Sequence, residues 1–492
     1  MPEVIASILA ESVSGVLRRA RLASMSGADW LEVRADSLPH DTDPHAILSE
    51  VKLPVLVACR TPQDGGRYQG TLEDRRVLLQ RWVDAGVAGL DLEQWETWTP
   101  ESAERLRIRM RSFHNFSGID DNLPAIRDEL LKMGANVAKI AVTAHDLADA
   151  APVLSLMAST DQATHPTVAF AMGDDAWVTR VLACVHGAPF VYGSVGSGMS
   201  TAPGQVPVSQ LTGVCDVRRF TGSTLIYGVL GNPARGSWGP WLFNRAFRLL
   251  AHDAVYLPFG TAHPKATVDM LSRRRLRGLS VTAPHKTALL RGCHEIDEHA
   301  SLSGALNTLA FRAHGSVSGH NTDVVGVREA LSDAGLTGRG ENAVVLGGGG
   351  AARAAAIGLA QLGLVPILMP RSLESVREFA REHGFRLARL DAEVMHELSP
   401  KAVVHATPIG GPAADDGEPE SILPDWNIAP GTFVLDMIYQ TPETELLKRV
   451  AAAGGIAVPG LDMFLSQACE QLYIFTGRRL SRAALREFVG GR

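Results

Sequence analysis

The sequence predicts a two-part α/β chain: an N-terminal (β/α)8 barrel, then a two-lobed α/β segment whose second lobe binds a dinucleotide. Three observations predict it. Short apolar runs recur roughly every 25 residues up to about Val214, with helix-like segments between them. The polar stretch Cys215-Asp-Val-Arg-Arg-Phe-Thr-Gly-Ser-Thr224 then breaks the rhythm, and two blocks of alternating strand and helix follow. The second block opens with Ala343-Val-Val-Leu346 and the glycine-rich turn Gly347-Gly348-Gly349-Gly350-Ala351. At 492 residues the chain exceeds the size at which one core keeps growing, so at least two domains are expected.

Eight runs count as barrel strands: Val4–Leu9, Trp30–Arg34, Pro54–Arg60, Gly89–Glu93, Arg107–Phe113, Val137–Val142, Thr167–Met172 and Phe190–Val195. Glu32, Arg34, Arg60, His114, Lys139, Arg180 and Gln205 cluster toward the C-terminal ends of these runs, where barrel enzymes place their chemistry. Lys139 stands out. Only seven of the 47 basic residues are lysine, yet one interrupts the apolar run Val137-Ala-Lys-Ile-Ala-Val142 and another, Lys286, closes the strand-like Leu279-Ser-Val-Thr-Ala-Pro-His-Lys286. A desolvated lysine can give up its proton and attack a carbonyl, whereas arginine cannot. The sequence therefore suggests two lysine-centred sites, against the plainer reading that both snorkel from strand ends.

In the second block the glycines let the chain turn tightly and bring backbone NH groups to a pyrophosphate at a helix N-terminus. The next strand, Val365-Pro-Ile-Leu-Met369, leads into Arg371 and Ser372, where an NAD enzyme would usually place an acidic residue. An arginine there favours a 2'-phosphate, so NADPH/NADP+ is the expected cofactor.

The net charge of -6, with acidic and basic residues interleaved, leaves no footprint for nucleic acid or an anionic membrane. Five scattered cysteines (Cys59, Cys184, Cys215, Cys293, Cys469) without a CxxC pair argue against a disulfide framework and a zinc cluster, and fit a reducing cytosol. No His, Cys, Asp or Glu cluster has metal-ligand spacing. Glu3 and Glu11 lie where a signal peptide would carry positive charge, and the longest apolar stretch, Ala354 to Pro370, is broken by Gln361 and Pro366, so a cytoplasmic protein is expected.

The first half carries Glu32-Val-Arg-Ala-Asp36, Arg60 before Gly65-Gly66, Ser112-Phe-His-Asn-Phe116, Gly134-Ala-Asn-Val-Ala-Lys-Ile-Ala141 and Ala202-Pro-Gly-Gln205. In order and across nearly the whole half, these resemble type I 3-dehydroquinate dehydratase. The resemblance implies that Lys139 forms a Schiff base with the substrate ketone and that His114 removes the adjacent proton, then protonates the departing hydroxyl. Glu32 would orient His114 or contact substrate, while Arg34, Arg60, Arg180, Thr201 and Gln205 would hold hydroxyls and carboxylate. Thr201 replaces a serine usual in that family, and Asn115 an aspartate.

The second half reads Gly231-Asn-Pro, Ser280-Val-Thr-Ala-Pro-His-Lys286, Gly304-Ala-Leu-Asn-Thr308, Gly319-His-Asn-Thr-Asp323, Ala406-Thr-Pro-Ile-Gly410, Asp436-Met-Ile-Tyr439 and Gly460-Leu-Asp-Met-Phe-Leu-Ser-Gln467. It resembles shikimate dehydrogenase, with a substrate-binding lobe and a Rossmann lobe. That likeness implies a proton-transfer pair, Lys286 and Asp323, with Ser237, Thr282, Asn307, Tyr439 and Gln467 on the substrate. It also implies Thr407, Met437, Gly460 and Met463 on the cofactor, beside the glycine turn, Arg371 and Ser372. Two positions depart: Gly239 stands where the family's opening loop has a second serine, and His405 where it has asparagine.

Together the resemblances imply consecutive reactions, dehydration of 3-dehydroquinate to 3-dehydroshikimate and NADPH-dependent reduction of that product to shikimate. The expected domains are residues 1–214, 225–325 and 326–492, the last with C-terminal helices returning to the substrate lobe. A quinate-type dehydrogenase and a non-catalytic ligand-sensing second half are the alternatives; the latter has no need of both Lys286 and Asp323. The partners implied are small molecules, and oligomeric state is left open.

Overall fold

The computed structural model describes residues 1–196, 198–312, 314–412 and 421–490. It divides into two compact units, one comprising Met1–Ile226 with Asp253–Arg275, the other Tyr227–His252 with Leu276 onward.

Eight parallel strands build the first unit: β1 (Glu3–Ile8), β2 (Trp30–Arg34), β3 (Val55–Ala58), β4 (Gly89–Glu93), β5 (Ile108–Asn115), β6 (Val137–Thr143), β7 (Thr167–Met172) and β8 (Phe190–Ser194). They run in the order β7-β6-β5-β4-β3-β2-β1-β8, so that β1 pairs with both β2 and β8. This is the expected barrel. Period-two alternation decides what faces inward. On β6, Ala138, Ile140 and Val142 pack outward against Leu123 and Leu130 of the helix Leu123–Lys132 and Leu156 of the helix Ala151–Ser159. The opposite parity, Val137 and Ala141, joins Met110, Phe170 and Tyr192 in a separate inner cluster. Lys139 shares that inner parity, which is why a lysine in an apolar strand ends inside the barrel. β5 runs two residues past its predicted end, so His114 lies on the strand itself. β10 (Ala254–Gly260) and the helix Pro264–Ser272 also belong to this unit, where Asp146 accepts hydrogen bonds from Thr261 Oγ1 (2.6 Å) and Ala262 N (2.7 Å).

In the second unit β9 (Leu225–Gly231), β11 (Leu276–Val281), β13 (Thr308–Phe311), β14 (Val317–His320) and β12 (Glu295–Ile296) lie side by side in that order. The pairs β11·β13 and β13·β14 are antiparallel and β12·β14 is parallel. The strand expected to close on Lys286 ends earlier, at Val281: Pro284 has no NH for a ladder, and Lys286 sits in the turns beyond it.

Six further strands, β15 (Asn342–Leu346), β16 (Val365–Met369), β17 (Arg386–Leu387), β18 (Ala402–His405), β19 (Phe433–Asp436) and β20 (Ile456–Pro459), form an all-parallel sheet. Their order, β17-β16-β15-β18-β19-β20, is the doubly wound 3-2-1-4-5-6 arrangement, which reverses between β15 and β18. The helix Gly350–Gln361 starts from the glycine turn after β15. Its buried Ala352, Ala354, Ala355 and Ala356 allow close approach to the sheet. The five cysteines are free thiols, and among the described residues no helix is long and apolar enough to cross a membrane.

Candidate active sites

In the first unit the strand parity converges on Lys139, which is 4 % exposed. Its Nζ lies 3.1 Å from Asp91 Oδ2, 3.7 Å from Glu32 Oε2 and 4.2 Å from the centroid of the Tyr192 ring. Arg60 binds both carboxylates of β4, Asp91 and Glu93, and Ser112 donates to Asp91 Oδ1. The other oxygen of Glu93 meets His114 Nδ1 at 3.0 Å. Glu93, not Glu32, is therefore the carboxylate that orients His114. Glu32 accepts from Ser7 Oγ at 2.5 Å, and its Oε2 is buried without a hydrogen-bond donor, facing Lys139.

The charges in this cluster explain its protonation. Burial raises the Asp91 and Glu93 carboxyls. Lys139 and Arg60 more than offset this for Asp91, as Arg60 and His114 do for Glu93, and both end below the usual carboxylate range. Burial, reinforced by Arg60, lowers the His114 imidazole despite the opposing charge of Glu93. A neutral imidazole can accept a proton.

Arg34 is held by Asp36 through two bonds of 2.9 Å. Arg180 differs. It is 2 % exposed, lies 3.7 Å over the Phe170 ring and reaches only the Pro203 carbonyl, at 3.4 Å; its Nε has no partner, and no carboxylate pairs with it among the described residues. Burial lowers it to about 9, still charged at neutral pH, so a buried cation here lacks an anion. Thr201 donates from its hydroxyl to Ser7 Oγ (2.9 Å) and from its backbone to Gln205 Oε1 (2.9 Å), tying the late loop to β1.

In the second unit Lys286 pairs with Asp323, the first residue of the helix Asp323–Asp333. Asn307 donates to Asp323 Oδ1 (2.8 Å), Thr322 Oγ1 (2.9 Å) and Gln467 Oε1 (3.5 Å). Gln471 donates to the Asn307 carbonyl and accepts from Ser280. Thus Lys286, Asp323, Asn307 and Gln467 form one network. A Cβ on Gly350 would meet Lys286 Cβ at 3.2 Å and Cδ at 3.3 Å, so the nucleotide turn packs directly on the lysine.

That turn fits a dinucleotide. Gly347 has φ +130°, and a Cβ on it would meet the Ala406 carbonyl at 3.0 Å and Thr407 Cγ2 at 3.3 Å; one on Gly348 would meet Pro370 and Ser375 at 3.0 Å. Gly349 and Gly350 complete it, and Ala351 follows in the helix. Gly460 lies against the carbonyls of Asp436 and Ile438, and the Met463 carbonyl against Gly326. Met437 donates from its backbone to the His405 carbonyl at 3.0 Å. Arg371 and Ser372 are exposed at the end of β16, outside the lysine network. Ser237 Oγ accepts from Gly239 N at 3.1 Å. Tyr439 stacks on Phe464 with centroids 4.2 Å apart and meets Trp238 edge-on. The Thr282 methyl presses on Gly231.

Sequence reasoning missed Ser7, Asp36, Asp91, Glu93, Ser112 and Tyr192 in the first site, and Thr322, Gln471 and Trp238 in the second. Asp91 and Glu93 were findable: two carboxylates of one parity in the otherwise apolar Gly89-Leu-Asp-Leu-Glu93 must share a face.

Comparison with known proteins finds relatives for both halves of the chain. Residues 4–220 match the family "Type I 3-dehydroquinase", and residues 229–309 match "Shikimate dehydrogenase substrate binding domain". A bifunctional 3-dehydroquinate dehydratase/shikimate dehydrogenase, chloroplastic, from Arabidopsis thaliana is 29 % identical over 96 % of this chain and 82 % of its own. A shikimate dehydrogenase (NADP+) from Methanothermobacter thermautotrophicus is 35 % identical over 53 % of this chain and 93 % of its own length. The crystal structure of shikimate dehydrogenase from Aquifex aeolicus, 28 % identical, covers 55 % of this chain and 99 % of its own, with a TM-score of 0.51.

Proposed function

The chain belongs to the shikimate dehydrogenase family and carries a type I 3-dehydroquinase domain ahead of that half, and from this premise we propose how its two sites act in succession. It is a bifunctional enzyme, a lyase joined to an NADP-dependent oxidoreductase. Residues 1–214 form the dehydratase, 225–325 the substrate lobe of the dehydrogenase and 326–492 its NADP lobe; the protein works in the cytoplasm.

In the barrel, Lys139 attacks the ketone of 3-dehydroquinate, and loss of water gives a protonated imine that accepts electrons from the neighbouring carbon–hydrogen bond. His114, held by Glu93, removes that proton and returns it to the departing hydroxyl, so water leaves and the ring alkene forms. Hydrolysis of the imine then frees 3-dehydroshikimate and Lys139. Asp91 and Glu32 flank the amine. Arg180 takes the substrate carboxylate, and Arg34, Arg60, Thr201 and Gln205 frame the hydroxyls. The observation that carries this reading is the convergence of Lys139, His114 and an anion-free buried Arg180 inside one barrel.

In the second unit, bound NADPH supplies the hydride that reduces the ketone of 3-dehydroshikimate. Lys286 and Asp323 polarise the carbonyl and deliver its proton, and Asn307 and Gln467 fix the pair from behind. Ser237, Thr282 and Tyr439 close on the substrate. The turn 347–351, Thr407, Met437, Gly460 and Met463 bind the dinucleotide, with Arg371 and Ser372 on its 2'-phosphate.

Mass-spectrometric identification of the product from 3-dehydroquinate and NADPH tests both steps at once. Shikimate is expected. Accumulation of 3-dehydroshikimate alone would sink the second assignment, and quinate would replace it by direct reduction of the first substrate, with Gly239 as the first position to change.

A further inference from the structure

We infer that His405 is the positioning residue of the dinucleotide site: its ring accepts a hydrogen bond from the Thr407 hydroxyl and so turns that oxygen toward the cofactor as a hydrogen-bond acceptor. The inference rests on the reading of the second unit as an NADPH-dependent reductase.

His405 ends β18 in register with Leu346 of β15 and Asp436 of β19. It therefore lies at the carboxyl edge of the sheet, beside the place where strand order reverses and where such sheets bind their ligands. It is 1 % exposed, and both ring nitrogens are engaged. Nδ1 is 3.0 Å from Asp436 Oδ1, and Nε2 is 2.6 Å from Thr407 Oγ1. Asp436 accepts two more hydrogen bonds, from Ile438 N at 3.1 Å and Thr444 Oγ1 at 2.6 Å, which fix the carboxylate in turn.

This chain of contacts has a direction. A carboxylate can only accept, so Nδ1 carries the imidazole proton. In the neutral ring Nε2 then offers only a lone pair, and the Thr407 hydroxyl must donate to it. The Thr407 oxygen keeps two acceptor positions, one of which meets Ile409 N at 3.3 Å. The other is taken by neither His405 nor Ile409, and Thr407 itself borders the glycine turn, since a Cβ on Gly347 would lie 3.3 Å from its methyl Cγ2. Whatever meets it must be a donor, and a dinucleotide has two kinds there: the carboxamide NH2 of the nicotinamide and a ribose hydroxyl.

Calorimetric titration with NADPH and steady-state reduction of 3-dehydroshikimate test the assignment together, the Kd for NADPH moving with its KM in every variant. His405→Phe, which keeps a ring and deletes both hydrogen bonds, should raise KM for NADPH about tenfold and leave KM for 3-dehydroshikimate near its original value. Thr407→Val should do the same, Thr407→Ser should restore the original KM, and the double variant should be no worse than Thr407→Val. Reduced 3-acetylpyridine adenine dinucleotide phosphate, which lacks the amide NH2, separates the sources. If the difference between wild type and Thr407→Val disappears with that analogue, the donor is the carboxamide; if it persists, the donor is a ribose hydroxyl, and either result supports the assignment. An unchanged KM for NADPH in His405→Phe, equal rises in both KM values, or losses that multiply in the double variant would overturn it. Should His405→Phe fail to fold, equal KM values for Thr407→Val and Thr407→Ser would overturn it alone. A wild-type chain without NADPH-dependent turnover would instead refute the reading of the second unit.

Discussion

Lys139 and Lys286 are each the proposed reactive cation of a site, yet their surroundings differ. The Lys139 side chain is 6 % exposed, and two carboxylates and an aromatic face surround its amine. Lys286 is 16 % exposed, pairs with one carboxylate, and has the glycine turn against its stem. The chemistry accounts for the contrast. A nucleophile that becomes part of a covalent imine must be held dry and shielded from competing water while neighbours handle protons. A lysine that passes one proton while a cofactor passes a hydride needs a single fixed partner and access to that cofactor.

Removing either lysine tests the comparison most severely. Lys139→Ala should cost dehydration on the order of 10^4-fold or more, because no other group can supply the covalent path. Reduction of added 3-dehydroshikimate should be untouched, and loss of both activities in a folded variant would contradict independent sites. Lys286→Ala should lower reduction by about 10^2- to 10^4-fold, the range of one positioned acid–base group, while NADPH still binds by calorimetry and dehydration continues.

Glu93→Gln sharpens the comparison through pH. His114 already titrates below its ordinary value, so dehydration should persist on the acid side and fall as pH drops through that lowered pKa. Glu93 is a charge that pulls this value up, so its neutralisation should move the acid limb to still lower pH. Turnover should fall about 10- to 100-fold with the orienting bond weakened. A limb that shifts toward neutral pH would contradict the assignment. The smallest change is expected at Arg371: replacement by alanine should cut the preference for NADPH over NADH about tenfold, read as the ratio of kcat/KM values, and leave dehydration alone.

Much of this was legible in the residue order because it is local. The eight runs, the glycine turn and the paired motifs around Lys286 and Asp323 all depend on short spacings. What escaped depends on register between distant strands. Glu93 is in register with Ser112, and Ser112 with Lys139, and only that alignment brings the β4 carboxylates to an amine on β6. Glu32 was read as a possible partner for His114 because it is the motif carboxylate. The barrel instead gives His114 its carboxylate from the strand next to its own. The strand expected to reach Lys286 stops at Val281 because proline interrupts its ladder, which frees the lysine to stand under a glycine rather than in a sheet.

The segment Asp253–Arg275 lies in the first unit although the residues on both sides of it lie in the second. The backbone therefore passes from one unit to the other three times. A fragment ending at Gly222 would leave the Asp146 carboxylate without Thr261 and Ala262. Point changes should silence the two activities separately, whereas a cut at Gly222 would also strip two hydrogen-bond donors from a carboxylate of the first unit.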